Sequence, residues 1–283
     1  MPSSFWSNTI WYILLGITSI ISMIFTLIKS KNRKFTIAFT FATLGLVYHI
    51  ESILVVSFNS YSYYPKLIDD LFQDTVLGNI FSQVSISSTS ALTIVYGLSF
   101  RWYVIFAFIY FLIEELFVKL GIYQHFWYKS IFTLIGFVPL FWFVKYWYNK
   151  LIESSKYYIH YITLYCSTTA VMGNIIVLPM KLLRIQVFTV NFYDDFSKNH
   201  TATFAIYGFF LTNILINLYR WRLQPIWKGI IFTLLFFIQY ILYMSGIIYI
   251  KNGWFIVATL ADLLGVYFFI VIFDRFLRQK PTI

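Results

Sequence analysis

Five ionisable side chains lie inside long apolar runs of this 283-residue chain: His49, Glu51, the adjacent pair Glu114-Glu115, and Asp262. A charge in such surroundings costs about 2.5–3.5 kcal/mol on insertion scales, so residues of this kind are functional candidates by default. Four carboxylates with no lysine or arginine beside them cannot all stay ionised at low dielectric. Some must hold a proton, bind a small cation or face water. His49 is the one cationic partner that these runs offer. Asn174, Gln239 and Gln83 fall at similar depth, so the expected intramembrane polar site consists of Glu114, Glu51, Asp262, His49, Asn174 and Gln239.

Helix geometry narrows the pair. Adjacent residues point about 100° apart, so only one of Glu114 and Glu115 faces the centre of a bundle. Glu114 lies too deep for a short carboxylate to reach a headgroup layer. It is expected to be buried with a polar partner from another span, drawn from Glu51, His49, Asn174, Gln239 and Asp262. Ser82, Ser85, Thr89 and Thr93 recur at helical spacing and read first as a small-residue packing face, second as the lining of a hydrated path. His200 with Asp194-Asp195 fits no metal-ligand spacing, and His125 and His160 read as interfacial, so no metal is expected. No phosphate-binding glycine loop, zinc-helix signature, nucleophile elbow or paired-cysteine motif is present, and no cofactor is expected. Cys166 is the single cysteine, so no intrachain disulfide can form.

The elements that must hold these residues follow from composition. The chain is 60% apolar and 11% charged, with a mean hydropathy of +0.75. Soluble domains carry about 25% charged residues, and a bilayer-spanning helix needs about 20 apolar residues. Hydropathy places about nine spans near 5–28, 35–58, 76–98, 103–121, 126–147, 157–180, 202–219, 228–250 and 254–274. The fold class expected is an all-α polytopic membrane bundle with the lipid bilayer as its partner. If the N-terminus is outside, fourteen of the twenty-one lysines and arginines fall in inner loops. That bias predicts a cell-membrane protein with its N-terminus outside, its C-terminus cytoplasmic and an odd number of spans. The net charge of +10 is spread over short loops, which argues against nucleic acid as a partner.

The two longer outer loops each carry a paired aspartate, Asp69-Asp70 and Asp194-Asp195. At an offset of 125, Asp70 meets Asp195 and Trp102 meets Trp227. Between 102 and 122 the same offset gives six identities in 21 positions. The expected organisation is a leading helix and loop (1–34) followed by two four-helix repeats (35–156 and 157–283). Four crossings per copy make the repeats parallel.

The second copy resembles a family of small bacterial multi-pass integral-membrane proteins. Asn199-His200-Thr201, Gly246-Ile247 and Lys251-Asn252-Gly253-Trp254 carry the likeness. The first copy is similar through Glu114-Glu115, Gly121-Ile122-Tyr123 and Trp127. The resemblance covers most of 35–275 and brings no activity with it. It implies a multi-pass bundle with a carboxylate in the penultimate span of each copy, a place filled here by Glu114 and by Gln239. Asn199-His200-Thr201 also spells a glycosylation sequon, which would go unused in a bacterium.

The residues support three readings. The first is a small transporter or ion-linked permease with a carboxylate-lined site in the outer half of the bundle, coupled to a proton or small cation. The second is an intramembrane enzyme acting on a lipid or isoprenoid through a carboxyl acid. Membrane-type carotenoid cyclases also carry paired acidic residues, matched here only by Glu114-Glu115 without a nearby proline. The third is a structural or sensory membrane subunit with no turnover.

Overall fold

A computed structural model describes residues 5–153 and 156–280. Residues 1–4, 154–155 and 281–283, which include the outer ends of the segments 1–34 and 157–283, lie outside that set. The described residues form nine long helices and four short strands, in the order α1 (Phe5–Lys29), α2 (Arg33–Ser57), β1 (Tyr61–Tyr63), α3 (Leu71–Val95), α4 (Phe100–Lys119), β2 (Tyr123–His125), α5 (Ser130–Glu153), α6 (Tyr157–Leu182), β3 (Gln186–Phe188), α7 (Phe196–Arg220), α8 (Pro225–Met244), β4 (Ile248–Ile250) and α9 (Phe255–Arg278). Seven of the nine are long and apolar enough to cross a bilayer. The other two are α3, rich in serine and threonine, and α4, which carries Arg101, Glu114, Glu115 and Lys119.

The strands are new relative to the hydropathy reading. β1 pairs antiparallel with β2, Tyr61 facing His125 and Tyr63 facing Tyr123. β3 pairs with β4, Gln186 facing Ile250 and Phe188 facing Ile248. Hydropathy ran span 8 on to residue 250 because Ile248-Tyr249-Ile250 is apolar; α8 stops at Met244. The stop is Gly246, and its counterpart after α4 is Gly121. Their φ values of +75° and +69° lie in the left-handed region. A glycine just past a helix end adopts that conformation without strain and turns the chain sharply. Both turns lead directly into a strand.

Helix starts are set by side chains that accept backbone protons left free in the first turn. Asp70 Oδ1 accepts from Gln73 N at 2.8 Å, and Asp195 Oδ1 from Lys198 N at 2.8 Å. Asn32 Oδ1 does the same for Phe35 N at 3.1 Å. From β1 onward every element in 61–153 has a counterpart 125 residues later with the same bounds, and α2 and α6 match to within one residue at their starts.

The matching helices α2 and α6 pack against each other. A Cβ on Gly45 would lie 1.9 Å from the Cys166 carbonyl oxygen, and Ser167 Oγ donates to Ala38 O at 3.0 Å. α1 stands beside α3, where Gly16 meets the Phe81 ring. Asn8 Nδ2 donates to Tyr64 O at 2.9 Å, which puts the start of α1 at the strand end of the bundle. Asn32 Nδ2 donates to Gln279 O at 2.7 Å and Lys280 Nζ to Ile152 O at 3.2 Å, so the C-terminal end lies at the opposite end. The outward faces are apolar: on α1 Ile20, Phe25 and Ile28 are more than half exposed, as are Ile226, Leu234 and Ile241 on α8.

Candidate functional site

A cavity of about 280 Å³ lies between the strand-side halves of α2, α3, α4 and α5, under the β1–β2 ladder. Strand alternation supplies its roof. Tyr61, Tyr63 and Tyr123 are buried, while Gln124 faces outward. Glu51 and Glu114 both line it. Glu51 is 7% exposed and accepts a very short hydrogen bond from the Tyr61 hydroxyl. Glu114 accepts a similarly short bond from the Thr133 hydroxyl on α5. Its Oε1 lies 2.7 Å from His125 Nε2 on β2. Tyr128 OH extends the chain, 2.9 Å from Thr133 Oγ1. Burial, reinforced by Glu51, pushes the Tyr61 and Tyr63 phenols well above their ordinary range. Burial does the same for Tyr123. These phenols stay protonated, and Tyr61 donates to Glu51.

Three lining residues are exposed: Ile50 on α2, and Phe132 and Gly136 on α5. The opening therefore lies in the side wall of the bundle, between α2 and α5, and not through the ladder. Glu115 is exposed, on another face of α4.

The counterpart place 125 residues later is filled. Asp262, fully buried, has Oδ2 2.8 Å from Gln186 Nε2, 3.2 Å from Tyr207 OH and 3.3 Å from Gln239 Nε2. Tyr207 OH is also 2.9 Å from Gln239 Oε1. Gln186, Tyr207, Gln239 and Asp262 stand where the first half has Tyr61, Ser82, Glu114 and Phe137. Oδ1 of Asp262 and Oε1 of Gln186 are buried without a hydrogen-bond partner.

The six expected site residues thus separate. Glu114 and Glu51 share the cavity; Gln239 and Asp262 share the filled cluster. His49 faces the other way, its Nε2 3.2 Å from Thr169 Oγ1 and its ring stacked on Tyr165. Asn174 Nδ2 donates to Ala170 O on its own helix at 3.0 Å. His49 and Glu51 are two positions apart, about 200° around a helix, so both cannot face one cavity. The histidine beside a carboxylate of the cavity is His125, which reads as interfacial in the sequence; the ladder turns it inward.

Other expectations find their residues occupied. Ser85 and Thr89 each lie 2.8 Å from Tyr110 OH. Ser22 Oγ on α1 donates to Ser88 O at 3.5 Å. Ser85 and Thr89 thus tie α3 to α4, Ser88 and Thr93 donate to carbonyls of α3 itself, and Ser82 lines the cavity. His200 Nδ1 accepts from Phe188 N at 3.0 Å, and no group of three metal-ligating side chains exists among the described residues. Asn199 is 2% exposed, and its oxygen accepts from Phe192 N and Tyr193 N at 2.7 and 2.6 Å. It braces a loop, as Asp74 does in the first half for the amides of Lys66, Leu67 and Ile68.

One cluster has no precursor in the sequence reading. Buried Asp274 is 2.8 Å from His160 Nε2 and accepts from Tyr219 OH at 2.9 Å and Arg278 Nε at 2.6 Å. The i,i+4 spacing of Asp274 and Arg278 at a helix end was its available signal. No protein-family model, curated protein or solved structure matches this chain.

Proposed function

We propose that the chain is a multi-pass cell-membrane protein, N-terminus outside and C-terminus cytoplasmic, working as a small ion-linked permease. Its plan is a leading helix and two parallel four-helix units, 35–156 and 157–283, related by an axis along the membrane normal. The recurrence of element bounds at 125 residues supports the duplication. The packing of α2 on α6 supports an axis between matching helices. The solute site lies in the first unit, in the outer half of the bundle.

One observation carries this reading: Glu51 and Glu114 line a common cavity, whereas the matching place in the second unit holds the hydrogen-bonded set Gln186, Tyr207, Gln239 and Asp262. A cavity built on two carboxylates is the place where solute occupancy and protonation can be coupled. The test is electrical recording on proteoliposomes exposed to a panel of small organic solutes under a proton gradient. Glu51→Gln and Glu114→Gln should abolish the solute-induced current, while Asp262→Asn should not. A panel that gives no current, or currents unchanged in both glutamine variants, counts against the permease.

A second reading, an intramembrane enzyme for a lipid-dissolved substrate, draws on the side opening at Ile50, Phe132 and Gly136, which faces the apolar flank. Comparing the lipids of cells with and without the protein separates the two, since an unchanged profile leaves the enzyme without a product.

A further inference from the structure

Glu114 has one ionisable partner that reaches the surface. His125 sits on β2 with its side chain 18% exposed, and its Nε2 is 2.7 Å from Glu114 Oε1, whose own side chain is 12% exposed. That separation is within the reach of direct proton transfer. The remaining groups facing His125 are phenols. Tyr123 lies on its own strand with ring centroids 5.0 Å away, and Tyr128 precedes α5 at 5.8 Å. Tyr61, its partner across the ladder, holds Glu51. Burial holds these phenols protonated, Tyr61 and Tyr123 most strongly, so none of them competes for the proton.

The duplication supplies an internal control. In the second unit Gln239 replaces Glu114 and Ile250 replaces His125. The carboxylate and the imidazole are present together in one unit and absent together from the other. The carboxylate of the filled cluster, Asp262, is bonded among the described residues to Gln186, Tyr207 and Gln239, none of which carries a charge.

We propose that His125 is the proton relay joining the strand-side aqueous face to Glu114, and that the proton is the coupling ion of the cavity. This rests on the cavity being a functional site. In the inward step His125 takes a proton from water to become imidazolium. It then passes the Nε2 proton to Glu114 Oε1, leaving neutral imidazole and a neutral carboxylic acid. The outward step is the reverse, so no charge accumulates on the histidine.

The experiment follows protonation directly and needs no solute. Proteoliposomes of defined orientation are subjected to a rapid pH jump while the infrared carboxyl band that is missing in Glu114→Gln is recorded. In the unaltered protein the band should follow the pH of the strand-side compartment alone. His125→Gln, which keeps a hydrogen-bond donor but cannot carry a proton at this pH, should slow the response about a hundredfold, the lower range for a positioned proton carrier. External imidazole should restore the rate. A band that follows the opposite compartment, a His125→Gln rate equal to wild type, or a slowed rate that imidazole leaves unchanged overturns the relay. The compartment measurement uses only the unaltered chain and holds even if the variant folds poorly. Normal relay kinetics with no solute current would tell against the permease alone.

Discussion

Ser82 and Tyr207 stand 125 residues apart at matching places on α3 and α7, and between them lies the difference between an open cavity and a closed cluster. Ser82 borders the cavity. Tyr207 fills the equivalent space and bonds Gln239 and Asp262. Ser82→Tyr should therefore close the first cavity. Solute-induced current should disappear while Tm stays at or above the wild-type value. Full current from a stably folded Ser82→Tyr protein would mean that the cavity is not on the solute's route.

Asp262 offers a contrast between charge and shape. Asp262→Asn keeps an acceptor oxygen and brings an amide donor into a cluster where Gln186 Oε1 is buried without a partner. Its Tm should equal or exceed wild type. Asp262→Leu should lower stability, because Gln186, Gln239 and Tyr207 lose their common acceptor, at about 1–3 kcal/mol for each buried polar group left unpaired. Thermal unfolding of the two variants in one detergent decides it.

Gly45→Ala tests the contact between the halves. In an isolated helix this change adds up to about 1 kcal/mol of stability. Here the new methyl would meet the Cys166 carbonyl at 1.9 Å. α2 and α6 must then separate, and overpacking of this kind costs about 1–3 kcal/mol. The expected net effect is destabilisation, visible as a lower Tm; a higher one would show that the helices slide apart freely.

Sidedness is open to cysteine labelling in a background lacking Cys166. Lys31→Cys and Lys280→Cys should react with a membrane-impermeant reagent only from the cytoplasmic side, and Asp194→Cys only from outside. Asp194 is chosen because Asp195 caps α7. Labelling of Lys31→Cys and Lys280→Cys from opposite sides would contradict an odd number of crossings.

The helices were legible because hydrophobic runs longer than any soluble helix requires are hard to mistake. Their ends were not. Ile248–Ile250 reads as span by hydropathy and folds as strand, because Gly246 turns the chain first. Glu114 and Glu51 stood out as charges in apolar surroundings, and they meet in one cavity. Their partners did not stand out. Tyr61, Tyr63 and Tyr123 are lost among 23 tyrosines, and only the strand pairing aims them inward. His125 gave no periodic signal, since three residues of strand are too few to establish one. Asp262 was grouped with Glu114 by depth alone, and depth says nothing about position around the bundle.

The ladders also order the making of the protein. β1 is synthesised about sixty residues before the strand that it pairs with. Until Tyr123–His125 has been made and has left the ribosome, the amides of Tyr61–Tyr63 lack the strand that they bond in the folded chain. The same wait recurs between Gln186 and Ile250. On the topology proposed above, each half is clasped only after its third helix has crossed. Ribosome-bound chains with α3 inserted but α4 and β2 still in the exit tunnel should therefore be cut readily by protease near Tyr61. Chains long enough to expose Phe126 outside should resist.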